Sequence, residues 1–212
     1  YEIASCLVGS QMCIRDSFSP SPELLADTDA YISMGETAEN VAQRWNVSRA
    51  DQEALAVESH RKAAAAREQG RLAGEIVPVR LASGDLVEAD GCIRPTTSAE
   101  ALANLKPAFR PDGVVTAGTS SPLTDGAAAV LVTSDAFAER HGLKALARIR
   151  SFATVGVDPA IMGIGPIPAT RKALARAGLS VADLDVVEIN EAFSSQAPVS
   201  YTHLTLTTTP YV

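Results

Sequence analysis

The sequence predicts an α/β fold. Three observations carry that prediction. Apolar, strand-like runs alternate with helix-like segments through the second half of the chain. Mostly apolar runs such as "AVLV" and "DVVEI" suggest a sheet covered on both faces. The stretch from Tyr31 to Phe109 is instead mostly helical and polar, an insertion rather than part of that sheet.

The elements follow in order. "GETAENVAQRW" reads as a short helix in which Val41 and Trp45, four apart, share a face. "SRADQEALAVESHRKAAAAREQG" reads as a longer one. Ser48 and Asp51 form a capping box, Ala63 to Ala66 favour helix, and Gly70 suits the stop. Leu55, Ser59, Ala63 and Ala66 fall at helical spacing and give a face of mostly small residues for close packing. "EIVPVRL" predicts an extended segment, with Pro78 marking an edge. "TSAEALANL" offers Thr97 and Glu100 as a second capping box. "PDGVVTAGTSSPLTDGAA" is a turn-rich loop too long for a plain connector. "AAAVLVTS", "ARIRSFATVGV" and "LDVVEI" predict strands. "DAFAERHG" predicts a helix between Ser134 and Gly142, and "IPATRKALARAG" one between Pro168 and Gly178. "NEAFSSQA" predicts the start of a further helix.

Composition narrows the function. A net charge of -7 argues against a general nucleic-acid binder. No apolar run approaches the roughly 18 residues needed to span a bilayer, and the first residues do not read as a secretory signal. Three cysteines without metal-like spacing suggest a reducing compartment.

The two ends read as foreign to the middle. Ser10 to Asp16 and Val199 to Thr205 are codon-compatible as reverse complements over seven consecutive pairs. Asp16 pairs with Val199, and Ser10 with Thr205. One DNA element placed in opposite orientations would produce this, and the peptides resemble translated sequencing-library adaptor. Residues 1–17 and 199–212 are therefore expected to be adaptor-like and set aside from fold reasoning. Cys92, His60 and His141 lie in what is left.

Several motifs point to a site, each with a plainer reading beside it. In "DVVEINEAF" a strand runs into a helix start with Asn190 at the junction, where ligands bind in open α/β folds. An Asn there can orient a water or polarise a carbonyl. The plainer reading is that Asn190 caps the helix and Glu191 suits its dipole. "TAGTSSPLTDGAAAV" supplies hydroxyls and backbone amides for a polar, amide-bearing ligand, or is an ordinary turn-rich loop. "GVDPAIMGIGPIPA" supplies a stiff backbone around Met162, or merely connects strand to helix. Met34 and Met162 are as readily core filler as pocket wall. His60 and His141 lie on charged helices and read as solvated. Cys92 follows "EADG", an acidic setting that reads as an inert thiol.

Taken in order, "SMGETAENVA", "KPAFRPDGVVTAGTSSPLTDGAAAV", "GVDPAIMGIGPIPA" and "VVEINEAFSSQA" resemble segments of the thiolase family, over about Phe18 to Ala197. The resemblance implies an incomplete, thiolase-like layered αβαβα fold with a mostly helical loop-domain insertion. It divides the chain into a CoA-binding insertion (18–110), the end of the N-terminal thiolase half (111–146) and the start of the C-terminal half (147–198). It implies acyl transfer between 3-ketoacyl-CoA and coenzyme A, with coenzyme A as substrate and no permanently bound cofactor or metal. Asn190 would hold an oxyanion-hole water. Met34, Met162 and Phe193 would line the acyl and pantetheine channel, Ser121 would hydrogen-bond the pantetheine, and Arg94 and Phe109 would meet the nucleotide end.

The resemblance also implies a homo-oligomer, dimer or tetramer, in a prokaryotic cytoplasm, with neither nucleic acid nor membrane as partner. Ala101 stands where some relatives place a CoA-contacting serine, and Ser33 where some place a histidine. "SMGETAEN" and "AGTSSPLTDG" look more like the fatty-acid-degrading branch than the acetoacetyl-specific one, with the acetoacetyl-CoA-forming branch and a non-catalytic CoA- or lipid-binding relative as the alternatives. Family members carry a nucleophilic cysteine upstream, and Gly-His-Pro and Cys-x-Gly-Gly-Gly motifs downstream. None stands in this sequence, so the chain alone is expected to be inactive.

Overall fold

The computed structural model describes residues 21–27 and 29–204. Residues 1–17 and 205–212, read above as foreign, lie outside them. After a short α1 (Pro22–Asp27), the chain enters α2 (Met34–Trp45). Ser33 caps α2, its side chain accepting the Glu36 N–H at 3.2 Å, and Asn46 closes it in the left-handed region at φ 53. Helix α3 (Arg49–Glu68) opens with the predicted capping box: the Asp51 N–H donates to Ser48 Oγ and the Ser48 N–H to Asp51 Oδ2. Beyond its end, Gly70 sits at φ 70, its N–H donating to the Arg67 carbonyl while the Arg71 N–H reaches Ala66. That paired closure needs a left-handed residue, and glycine takes it without a Cβ clash.

The remaining elements are short. β1 (Val79–Arg80) and β2 (Leu86–Val87) pair antiparallel as an exposed two-stranded ribbon, so the extended segment predicted at "EIVPVRL" is present. Helix α4 (Ala99–Ala103) is capped by Ser98, not by the predicted Thr97. Ser98 Oγ accepts the Ala101 N–H, whereas the Thr97 hydroxyl turns back to the Arg94 carbonyl. α5 (Asp135–Arg140) starts and stops as predicted, and α6 (Pro166–Ala177) stops at Gly178 as predicted but starts at Pro166, ahead of Pro168. The last helix, α7 (Ala197–Leu204), begins after "NEAFSSQ" rather than with it. Pro198 lies in its first turn, where a missing N–H costs no internal hydrogen bond. The stretch Val199–Leu204 is thus helical and packed, with Leu204 1% exposed.

The three predicted strands "AAAVLVTS", "ARIRSFATVGV" and "LDVVEI" carry no regular structure. The only sheet among the described residues is the β1–β2 ribbon. A strand exists by pairing, and among the described residues no strand pairs with these runs. Leu131 is 76% exposed and Phe152 77%, so the expected sheet covered on both faces is absent here. The 147–157 run is instead strapped along α6: Lys172 Nζ donates to the Thr154 carbonyl at 3.0 Å and Arg176 Nη1 to the Phe152 carbonyl at 2.7 Å. Two basic side chains thereby satisfy carbonyls that a strand neighbour would otherwise meet.

The core gathers where α2, the 3-10 turns of Pro159–Ile164, α6 and α7 converge. Val41, fully buried, packs with Ile161, Ile167 and Val199, flanked by Trp45, Val47 and Ile164. The shared face predicted for Val41 and Trp45 therefore points into the core. The α3 face of Leu55, Ser59, Ala63 and Ala66 is only half-buried and lines a groove. The fully packed α3 positions are Gln52, Glu53, Ala56 and Ala64. No helix among the described residues is long and apolar enough to cross a membrane.

Polar side chains fix the helices to the loops between them. The buried Glu39 carboxylate accepts the Val114 N–H on one oxygen and the Val115 N–H on the other, both at 3.0 Å. Arg110 reaches back to α2, pairing with Glu36 at 2.5 Å and donating to Asn40 Oδ1 at 2.7 Å. Arg49 pairs with Glu53 and donates to the carbonyls of Leu102, Ala103 and Leu105. A cation thus closes the C-terminal end of α4, where the carbonyls lack helix partners. Glu39→Ala leaves the Val114 and Val115 amides without an acceptor. It is expected to lower stability by about 2–3 kcal/mol, read as a shift of the urea midpoint.

Candidate functional site

The loop after Val115 is built as a clasp. Thr116 and Thr119 are buried, and the Thr119 hydroxyl oxygen accepts the Thr116 N–H at 2.9 Å. The Ser120 hydroxyl donates to the Thr116 carbonyl at 2.8 Å. Two backbone bonds then tie the loop to "NEAFS": Ser121 N–H to the Ala192 carbonyl at 2.8 Å, and Ser194 N–H to the Thr119 carbonyl at 2.9 Å. Ser120 and Phe193 face each other as an isolated antiparallel bridge. The turn-rich loop and the Asn190 motif, about seventy residues apart in sequence, form one joint.

Asn190 sits just before that joint. It is exposed, between buried Ile189 and half-buried Glu191. The helix expected to start here begins seven residues later, so neither Asn190 nor Glu191 is a helix cap. Glu191 serves another contact: Ser59 Oγ on α3 donates to its Oε2 at 2.6 Å. A short bond of this kind, from hydroxyl to carboxylate, is charge-assisted.

The predicted site residues do not gather in one place. Ser121 and Asn190 open onto one groove of about 1010 Å³, walled by α3, the 184–191 segment, Tyr201 and Leu204. Phe109 and Phe193 meet edge-on beside the clasp, their ring centroids 6.0 Å apart. Gly35 lies against Phe109, and a Cβ there would collide with the ring, so this helix position must stay bare. Met34 and Met162, 52% and 43% exposed, are surface residues rather than core filler. Arg94 stands apart: its side chain is exposed and its N–H donates to His60 Nδ1 at 3.2 Å. Neither Arg94, Phe109, Phe193, Met34 nor Met162 lines the groove.

Sequence reasoning misses two residues at this site. Ser59 enters it only as one small residue of a packing face, and Glu39 not at all. Both act on partners distant in sequence, which no local pattern marks. Ser33 and Ala101, the two departures noted above, are the cap of α2 and a first-turn residue of α4.

Comparison with known proteins bears on what this joint belongs to. The thiolase N-terminal domain matches residues 10–136 and the thiolase C-terminal domain residues 143–209. The chain belongs to the thiolase family. It is 58% identical over 167 residues to an acetyl-CoA acetyltransferase of Paracoccus denitrificans, covering 77% of this chain and 43% of that protein. It is 54% identical over 173 residues to a 3-ketoacyl-CoA thiolase of Marinomonas sp., covering 79% and 44%. The crystal structure of the dimeric peroxisomal thiolase of Saccharomyces cerevisiae superposes with a TM-score of 0.84 at 41% identity, over 89% of this chain and 49% of that one. The acetyl-CoA acetyltransferase of Bacillus anthracis gives a TM-score of 0.78 at 44% identity, over 82% and 45%. The chain thus spans about half the length of the thiolases it matches, and its fold is an incomplete α/β thiolase fold.

Within that fold the clasp joins the two thiolase regions. Ser121 comes from the part matching the N-terminal domain, and Asn190, Ala192 and Phe193 from the part matching the C-terminal domain. Ser195 Oγ donating to the Ala38 carbonyl and Asn40 Nδ2 donating to the Ala160 carbonyl join them again.

His60 is not simply solvated: its ring is half-buried and accepts the Arg94 N–H on Nδ1. Burial, with the Arg94 charge beside it, lowers its pKa. His141 is exposed and stacks on Phe137, 4.2 Å between centroids. Cys92 is half-buried, its Sγ 3.4 Å from Thr124 Oγ1. Because the folded chain favours neutral His60, the bond to Arg94 is intact at neutral pH and lost as pH falls through the lowered value. An NMR titration is expected to give His60 a midpoint below the ordinary 6.5. Amide exchange at Arg94 is expected to rise across the same step.

Proposed function

We propose that this chain is the acyl-CoA-seating part of a thiolase that transfers acyl groups between 3-ketoacyl-CoA and coenzyme A, in the thiolytic direction of fatty-acid degradation. One observation carries the reading: Ser121 and Asn190 open onto the same groove, fastened by the Ser121–Ala192 backbone bond. A long amide-bearing arm needs a polar partner along its length, which the Ser121 hydroxyl supplies. The thioester end needs a donor that orients a water at the developing oxyanion, which suits the Asn190 amide.

The other residues take supporting parts. Met34, Met162 and Phe193, which lie outside the groove, would wall the acyl and pantetheine path beyond it, and Phe109 and Arg94 would meet the nucleotide end. Holding the arm this way would place the thioester against a cysteine thiolate, the nucleophile of the thiolase reaction. Cys92 is not that group: it lies outside the groove, against Thr124. In this reading residues 18–110 form the CoA-binding insertion, 111–146 close the N-terminal half and 147–198 open the C-terminal half. The adaptor-like reading of 1–17 and 199–212 belongs to the same proposal. The working enzyme is read as a cytoplasmic homo-oligomer; the dimeric yeast relative supports the oligomer alone.

A second reading rests on the relatives' names. Three of the matching bacterial proteins, at 53–58% identity, are named acetyl-CoA acetyltransferases, which favours acetoacetyl-CoA formation. Calorimetric titration of this chain separates the two readings. The degradative reading expects coenzyme A to bind and octanoyl-CoA to bind at least as tightly as acetyl-CoA. Tighter acetyl-CoA binding favours the biosynthetic reading, and no binding of any of the three refutes both. A thioester-cleavage assay is expected to show no CoA-dependent turnover above a Cys92→Ala control. Turnover lost in that variant would make Cys92 a nucleophile and overturn the assignment.

A further inference from the structure

Asn190 has no regular structure of its own to aim it. The segment 184–190 is neither helix nor strand, and α7 starts only at Ala197. What fixes it is a short series of pegs on either side. Ile189 is buried, at 8% exposure. The Ala192 carbonyl accepts the Ser121 N–H. Between these lies Glu191, whose carboxylate accepts the Ser59 hydroxyl at 2.6 Å from a residue 132 positions away. Ser59 and Glu191 line the same groove as Asn190 and Ser121. The Ile189 and Ala192 pegs hold the chain by burial and by backbone. Glu191 is tied by its side chain, and to a different wall, the long helix α3.

The setting of this bond makes it a strong constraint. Oε2 of Glu191 is charged, and the distance is that of a hydroxyl bound to a carboxylate. The donor stands on the twenty-residue α3, whose own position is set by its capping box and by the Arg49 clamp on α4. Ser59 thus carries the rigidity of the helical insertion to the residue next to Asn190. A loop residue flanked by two tied neighbours keeps little freedom of its own backbone.

We infer that Ser59 is a positioning residue for Asn190, acting through Glu191. The inference rests on the proposed role of Asn190, but its test does not depend on that role alone. The full chain is compared with its Ser59→Ala, Ser59→Thr and Glu191→Gln variants by three measurements. These are residue-resolved amide exchange, the NMR signal of the Asn190 side-chain amide, and affinity for coenzyme A.

Ser59→Ala is expected to speed exchange at residues 190–192 by about tenfold, the loss of one charge-assisted bond. It is also expected to shift the Asn190 side-chain signal and weaken coenzyme A binding several-fold, while leaving exchange in α2 and the melting temperature near those of the parent chain. Ser59→Thr, which keeps the hydroxyl, is expected to restore all three.

Unchanged exchange and an unchanged Asn190 signal in Ser59→Ala would overturn the inference. So would acceleration spread evenly over the whole chain, or failure of the threonine variant to rescue. If the parent chain does not bind coenzyme A, the proposed function fails, while exchange and the Asn190 signal still decide the tether. Should Ser59→Ala not fold, Glu191→Gln, which keeps an acceptor but removes its charge, is expected to give the same change confined to residues 190–192. No change there would overturn the inference equally.

Discussion

The architecture depends on a carboxylate taken out of water. Glu39 projects from the middle of α2, and its two oxygens accept successive backbone amides at Val114 and Val115. An isolated buried carboxylate would be costly; one paired with two N–H donors is not. The donors gain as much, because Val115 is fully buried and its amide has no strand partner there. This exchange fixes the end of the helical insertion against the start of the clasp. Every later contact of Thr116, Thr119 and Ser121 is measured from that point. Arg110 strengthens the same seam by pairing with Glu36 and Asn40, one turn apart on α2.

From that seam, order passes along the chain by polar bonds more than by apolar burial. The buried apolar cluster is small, centred on Val41, Ile161, Ile167 and Val199. What extends it are single donors reaching single carbonyls: Asn40 to Ala160, Ser195 to Ala38, Arg49 to the end of α4. Such contacts are directional, so they set register where a modest core cannot. Reliance on polar bonds also carries a cost. Gln52 Oε1, on the inner face of α3, is buried without a hydrogen-bond partner.

Legibility in the sequence follows the range of each interaction. Helix starts and stops are readable, because a capping hydroxyl and the N–H that donates to it lie three residues apart: Ser48 with Asp51, Ser134 with Phe137. The family is readable because four motifs keep their order and spacing. Strands are misread, since "AVLV" has the composition of a strand but a strand needs a neighbour. The helix start at Asn190 is misplaced because the local pattern of an amide followed by a carboxylate mimics a cap. In the fold the carboxylate is drawn off by Ser59. The Glu39 cradle is invisible for the same reason, its partners lying 75 and 76 residues away.

The unpaired runs give this chain a physical character distinct from its insertion. Val130, Leu131 and Val132 are exposed in succession, and Ile149 and Phe152, three apart, are exposed as well. Consecutive apolar residues with unmet backbone groups are the condition under which chains pair edge to edge. The molecule blunts one such run and not another. Along 151–154 the Ser151 hydroxyl turns onto the Ala173 carbonyl of α6, while Lys172 and Arg176 of α6 occupy carbonyls of the run itself. Along 130–132 no side-chain bond of this kind is present among the described residues. Association of the chain should therefore begin at Val130–Val132, and charge placed there should suppress it more than charge placed at Ile149. The carbonyls that already have donors decide the order, because apolar exposure alone ranks the two runs as near equals.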